Sequence, residues 1–127
     1  MRIEDYFQQI NRLVQNCSII ETFNFIPDKR DTYEGFLRIE IRFIDQSILS
    51  VREFVSVETS TDRDMYSYQY MNSSKQLIFR YDNTPHHQKL NIPTFPHHKH
   101  EHNESNVISS TAPFLADVFK EIIAILT

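Results

Sequence analysis

Apolar residues recur at spacings of three and four near the start of the chain, where Ile3, Tyr6, Phe7, Ile10, Leu13 and Val14 form one stripe. That period belongs to an amphipathic helix, predicted here over residues 3–16 with Asn16 helping to end it. From residue 18 the period changes to two. Ile19, Glu21, Phe23 and Phe25 lie on one side of a first strand over residues 18–27, and Pro27-Asp28-Lys29-Arg30-Asp31 reads as a turn. Leu37, Ile39, Ile41 and Phe43 alternate with Arg38, Glu40 and Arg42 in a second strand, and Leu49, Val51, Val55 and Val57 share a parity in a third. With a turn through residues 44–48, Phe43 faces Leu49, Ile41 faces Val51 and Ile39 faces Glu53. The same register sets Glu40 opposite Arg52 on the outer face, a favourable pair of opposite charges.

Residues 65–71 and 76–82 read as a further hairpin around Asn72-Ser73-Ser74-Lys75. Tyr66, Tyr68 and Tyr70 share one parity and face Leu77, Phe79 and Tyr81, which leaves Ile78, Arg80 and Asp82 on the reverse side. A tyrosine stripe of this kind is more often structural, with buried rings and hydrogen-bonded hydroxyls. Pro85, Pro93 and Pro96 then argue against a helix and predict a long loop to about residue 106. Phe114, Leu115, Val118, Phe119, Ile122, Ile123 and Leu126 resume a helical stripe that begins near Pro113. The predicted fold class is α+β: an N-terminal helix, a predominantly antiparallel sheet of about five strands, a long histidine-rich loop and a C-terminal helix. Two-layer packing, with both helices on one sheet face, closes a shared core.

Glu53 interrupts this pattern. It falls in the inward series of an otherwise apolar strand, where an unpaired carboxylate is strongly disfavoured. Either it accepts internal hydrogen bonds near the sheet rim, or it belongs to a site.

Composition narrows the function classes. At 127 residues the chain has the length of one domain, over residues 1–127, and buries roughly two thirds of its unfolded surface. Cys17 is the single cysteine, which excludes an intrachain disulfide and a cysteine-rich metal site and fits a reducing compartment. Gly35 is the single glycine, so no phosphate-binding glycine loop or dinucleotide fingerprint is present. The opening residues lack the pattern of a secretory signal, and no apolar run is long enough to span a membrane, so a soluble, cytoplasmic protein is expected. Seventeen acidic against thirteen basic residues give a formal charge of −4. That balance argues against a broad electrostatic binder of nucleic acid, but leaves room for an enzyme that touches an RNA backbone with one or two arginines.

The chemistry gathers in one segment, because all six histidines lie within residues 86–102. Two Pro-His-His units, Pro85-His86-His87 and Pro96-His97-His98, are followed by the alternating run Lys99-His100-Glu101-His102. In an extended backbone His98, His100 and His102 project to one side. Histidines can serve as general base and general acid near neutral pH, and Arg80 can stabilise charge developing on a phosphoryl group. These parts suit a metal-free ribonuclease using His86, His98 or His100 with Arg80, with Glu53 or Asp82 orienting the site. The alternative to this leading reading is a divalent transition metal held by His98, His100 and His102 with carboxylate support from Glu53 or Asp82, although no cofactor is favoured. Asn83 reads as a turn residue before Pro85.

The stretch Arg80-Tyr81-Asp82-Asn83-Thr84-Pro85-His86-His87, joined by Thr94-Phe95-Pro96-His97-His98-Lys99-His100, resembles the TumE family of toxin components of toxin–antitoxin systems. Members are similar in an aromatic after the arginine, an Asp-Asn pair, a small residue before proline and a second proline-histidine cluster. The resemblance extends to Glu53 and the tyrosine-rich strand at Tyr66–Tyr70. Thr84 departs from the alanine common in the family, without an obvious effect on a site. The resemblance implies the toxic member of a two-gene pair that binds a separately encoded antitoxin. RNA is the expected substrate class, a second copy of the chain is a further candidate partner, and a protein-binding toxin or regulator without enzymatic activity is the remaining alternative.

Overall fold

The computed structural model describes residues 1–85 and 91–127. Helix α1 covers Ile3–Gln15, and Asp5 accepts a hydrogen bond from the Arg2 backbone N–H at 2.9 Å. With Glu4, Asp5 also sets negative charge at the positive end of the helix. Seven strands follow among the described residues: β1 Ile20–Lys29, β2 Glu34–Phe43, β3 Ile48–Ser56, β4 Asp62–Met71, β5 Leu77–Asp82, β6 His98–Glu101 and β7 Val107–Ser109. Helix α2, Leu115–Leu126, closes the chain. Every strand pairs antiparallel with its neighbour in sequence, in the order β1-β2-β3-β4-β5-β6-β7.

The strand count exceeds the expected five because the predicted histidine loop folds back as the β6–β7 hairpin. β6 pairs along β5 and β7 along β6. The first strand also runs further than predicted. Pro27 and Asp28 sit inside β1, paired with Leu37 and Phe36. β1 is an edge strand, where a missing backbone donor is tolerated.

The β2–β3 register is two residues tighter than the sequence pattern suggested. The Phe43 N–H donates to the Ser47 carbonyl at 2.9 Å, and Gln46 adopts a left-handed φ of 71°. A three-residue turn of this kind replaces the longer one expected. Ile39 therefore pairs with Val51 and Leu37 with Glu53, while Glu40 faces Ser50 and Arg38 faces Arg52. An even shift keeps every side chain on its predicted face, so the apolar pattern survives and only the charge pairing changes.

Both helices cover the same sheet face. From α1, Ile3, Tyr6, Phe7 and Val14 are buried; from α2, Leu115, Val118, Phe119 and Ile122 are buried. Phe119 meets Phe43 edge-on at 6.5 Å between ring centres, and Ile3 and Phe7 close over Gly35. The core lies between these helices and the inward series of β2 to β5, including Leu37, Ile39, Leu49, Val51 and the three tyrosines of β4. The opposite face forms an open groove of about 820 Å³ that extends from Arg38 and Arg52 to His98 and His100.

Candidate functional site

Residues two apart on a strand share a face, so β5 presents Arg80 and Asp82 to the groove and β6 presents His98 and His100. The β5–β6 register sets Asp82 opposite His98 and Arg80 opposite His100. Asp82, His98 and His100 are buried to within a few per cent of full coverage.

Backbone carbonyls fix both imidazoles. His98 Nδ1 lies 2.9 Å from the Pro96 carbonyl oxygen, and His100 Nδ1 lies 2.8 Å from that of Glu104. A carbonyl can only accept, so each Nδ1 carries the hydrogen and each Nε2 is turned toward the carboxylate. His98 Nε2 is 2.8 Å from Asp82 Oδ1, and His100 Nε2 is 3.8 Å from Oδ2. One candidate ligand atom from each of Asp82, His98 and His100 lies within 4.8 Å of the others. Burial favours the neutral His100 ring, reinforced by the nearby Arg80 charge, and lowers its pKa against the opposing pull of the Glu104 carbonyl and Asp82.

Arg80 spans the site. Its Nε donates to Asp82 Oδ2 at 2.9 Å, Nη1 donates to Gln69 Oε1 at 3.1 Å, and the two terminal nitrogens grip the Glu104 carboxylate at 2.6 Å each. Burial opposes the charge on Arg80, but the bonds to Glu104 and Asp82 outweigh it and raise the pKa. The same bidentate bond lowers the pKa of Glu104. Asp82 Oδ1 also accepts the Thr84 N–H at 3.0 Å, so the carboxylate is positioned from both sides.

The sequence-predicted residues separate into groups. Arg80, Asp82, His98 and His100 converge. Glu53 does not share their face: it lies in the core, where its carboxylate accepts hydrogen bonds from the Tyr6 and Tyr68 hydroxyls. His102 also departs from the alternation, because the backbone turns left-handed there, with φ 64°, and the residue is exposed between β6 and β7. Asp82 takes the third place expected of His102. His86 and His87 lie outside the described residues. His97 sits apart, its Nδ1 2.9 Å from the Tyr66 hydroxyl. Asn83, just past the end of β5, ties across to β4 rather than closing a local turn: its side chain accepts from the Tyr66 N–H at 3.0 Å and donates to the Asp64 carbonyl at 3.1 Å.

Sequence reasoning missed Glu104, which holds Arg80 through its side chain and His100 through its carbonyl. No local spacing links Glu104 to Arg80. Only the β5–β6 pairing and the tight β6–β7 turn bring them together.

A family model described as Toxin TumE matches residues 10–126. The chain belongs to the TumE toxin family. The match includes all seven strands, the whole of α2 and the second half of α1, so the Asp82–His98–His100 cluster lies well inside the TumE region. Comparisons with curated proteins and with solved structures gave no match. Among the described residues, no helix of this TumE-family chain is long and apolar enough to cross a membrane.

Proposed function

We propose that the protein is the toxic member of a toxin–antitoxin pair and that Asp82, His98 and His100 form a divalent-metal centre for hydrolysis. Membership of the TumE family supports the toxin role. The observation carrying the metal reading is that two backbone carbonyls hold the Nδ1 hydrogens and turn both Nε2 atoms toward one buried carboxylate. Metal-binding histidines commonly have this arrangement, with the second ring nitrogen donating to a carbonyl or carboxylate. Donor atoms sharing a tetrahedral zinc stand roughly 3.4 Å apart, so side-chain adjustments on the order of 1 Å bring the cluster to that geometry. Two imidazoles and one carboxylate suit zinc, nickel or iron, and an ion bound there supplies Lewis-acid polarisation of the scissile bond.

The chain's own residues supply the rest. The Pro96 carbonyl orients His98, Arg80 offers a planar cation for charge developing on a phosphoryl oxygen, and Gln69 steadies that guanidinium. A separately encoded antitoxin is the proposed protein partner, and the cytoplasm the proposed compartment.

The test uses protein purified without a nickel column, stripped with chelator and dialysed against zinc, nickel or iron. About one ion per chain is expected in the wild type, with little in Asp82→Asn or His98→Ala. Growth arrest on induction should be lost in the same variants, with circular dichroism confirming the fold. Wild-type metal content in His98→Ala overturns the centre.

The 2.8 Å contact between His98 and Asp82 favours a second, metal-free reading. Here His98 and His100 exchange protons with an RNA substrate while Arg80 stabilises the phosphorane. Full activity of the chelated protein selects that mechanism.

A further inference from the structure

Beyond the cluster, the groove carries an arginine pair that the hydrolytic centre does not use. The residues Arg38, Arg52, Ser67, Asp82 and His98 stand opposite one another in turn across five adjacent strands. The row begins with two exposed arginines directly facing each other. Like charges in that relation destabilise a sheet unless an anion lies between them. Among the described residues, no carboxylate oxygen lies within 4.0 Å of either guanidinium, whereas Arg80 is bound by both Asp82 and Glu104. Glu40, opposite Ser50 in the next row, contributes one opposing charge to this part of the groove.

Beside the arginine pair lies an aromatic pair. Phe36 and Phe54 face each other one pleat along the same side of the sheet, both half-buried, and Met65 continues their row on β4. A cationic strip flanked by aromatic rings is the arrangement that single-stranded nucleic acids use: phosphates pair with the arginines and bases stack on the rings. Adjacent strands stand about 4.8 Å apart, so the backbones of Arg52 and Arg38 lie roughly 10 and 14 Å from that of Asp82. A chain anchored there reaches the cluster within a few nucleotides.

We infer that the open sheet face is a track for single-stranded nucleic acid, gripped at Arg38 and Arg52, stacked at Phe36 and Phe54, and led over Asp82, His98 and His100. This assignment rests on the hydrolytic reading for its outcome, but not for binding itself. The track is local, which reconciles it with a chain of net charge −4.

Binding is measured by fluorescence anisotropy of labelled single-stranded RNA and DNA twelve-mers on the full chain in excess chelator, so that the metal centre plays no part. Wild-type binding is expected to weaken with salt. Arg38→Gln with Arg52→Gln should weaken it at least tenfold and make the log–log salt slope shallower by about 1.4, as loss of two phosphate contacts requires. Phe36→Leu with Phe54→Leu should weaken binding several-fold and leave that slope unchanged. Metal content of the arginine variant should match the wild type, so loss of binding there is distinct from failure of the centre. Tighter RNA than DNA binding would identify RNA as the natural ligand, and the reverse would identify DNA. The track is overturned if neither oligonucleotide binds, if duplex DNA binds equally well, or if the arginine variant keeps wild-type affinity and slope.

Discussion

At the scale of single residues, the two carboxylates singled out in the sequence have opposite surroundings. Asp82 faces the groove and serves Arg80 and His98, whereas Glu53 is enclosed in the core by Tyr6 of α1 and Tyr68 of β4, with Arg63 supplying an opposing charge. Burial raises the Glu53 pKa, and the two hydroxyl bonds and Arg63 only partly offset this. Burial, with Glu53 beside them, also raises the Tyr6 and Tyr68 pKa values. With its folded pKa above the ordinary value of 4.5, Glu53 costs nothing at lower pH, where both folded and unfolded states hold the proton. The cost grows as pH rises through the folded pKa. Glu53→Gln should therefore gain melting temperature relative to wild type on going from pH 4.5 to pH 8, and a difference independent of pH in thermal melts refutes this. Glu104 makes a different prediction. Its side chain is 64 % exposed yet its carboxylate occupies the Arg80 fork, where a phosphate group would otherwise bind. Glu104→Gln should leave the melting temperature within a few degrees, as an exposed ion pair contributes only about 0–1 kcal/mol. It should raise oligonucleotide affinity several-fold in the same anisotropy measurement.

At the scale of elements, legibility followed apolar content. The α1 stripe, the alternation of β2 and β3 and the Tyr66–Tyr70 series were readable because each carries a run of apolar positions at one period. β6 was not, since His98 and His100 are polar residues whose burial comes from β5 and from the Pro96 and Glu104 carbonyls rather than from their own chemistry. The β2–β3 turn was misjudged by two residues for a related reason. Asp45 steadies it by accepting the Ser47 N–H at 3.0 Å, and no apolar pattern records that bond. The single glycine had a use that periodicity could not reveal: a Cβ at Gly35 would stand 2.6 Å from Phe7 Cζ, 2.8 Å from Ile3 Cγ1 and 3.1 Å from the Asp28 carbonyl. Gly35 is thus the seat on which α1 rests against β2. Gly35→Ala should cost about 1–3 kcal/mol by overpacking, seen as a fall of several degrees in melting temperature. An unchanged melt refutes the close seat.

At the scale of the whole molecule, one sheet performs two tasks with its two faces. The inward face holds the helices and an almost wholly apolar core, and the outward face holds Arg38, Arg52 and Arg80 together with Asp82, His98 and His100. Sequence parity assigned Arg80 and Asp82 to the side away from the tyrosines and Glu53 to the inward series. Joining Glu53 to the histidines required ignoring that separation, because proximity on a list of polar residues is not proximity across a sheet. Consecutive pairing of the strands has a further consequence during synthesis. Each strand meets a partner made just before it, so the sheet can assemble in the order in which the ribosome delivers it. His98 and His100 arrive after all five preceding strands have been synthesised, and α2 follows them. A nascent chain interrupted before β6 carries neither ring, so chemistry that depends on the cluster waits until translation has passed nearly the entire fold.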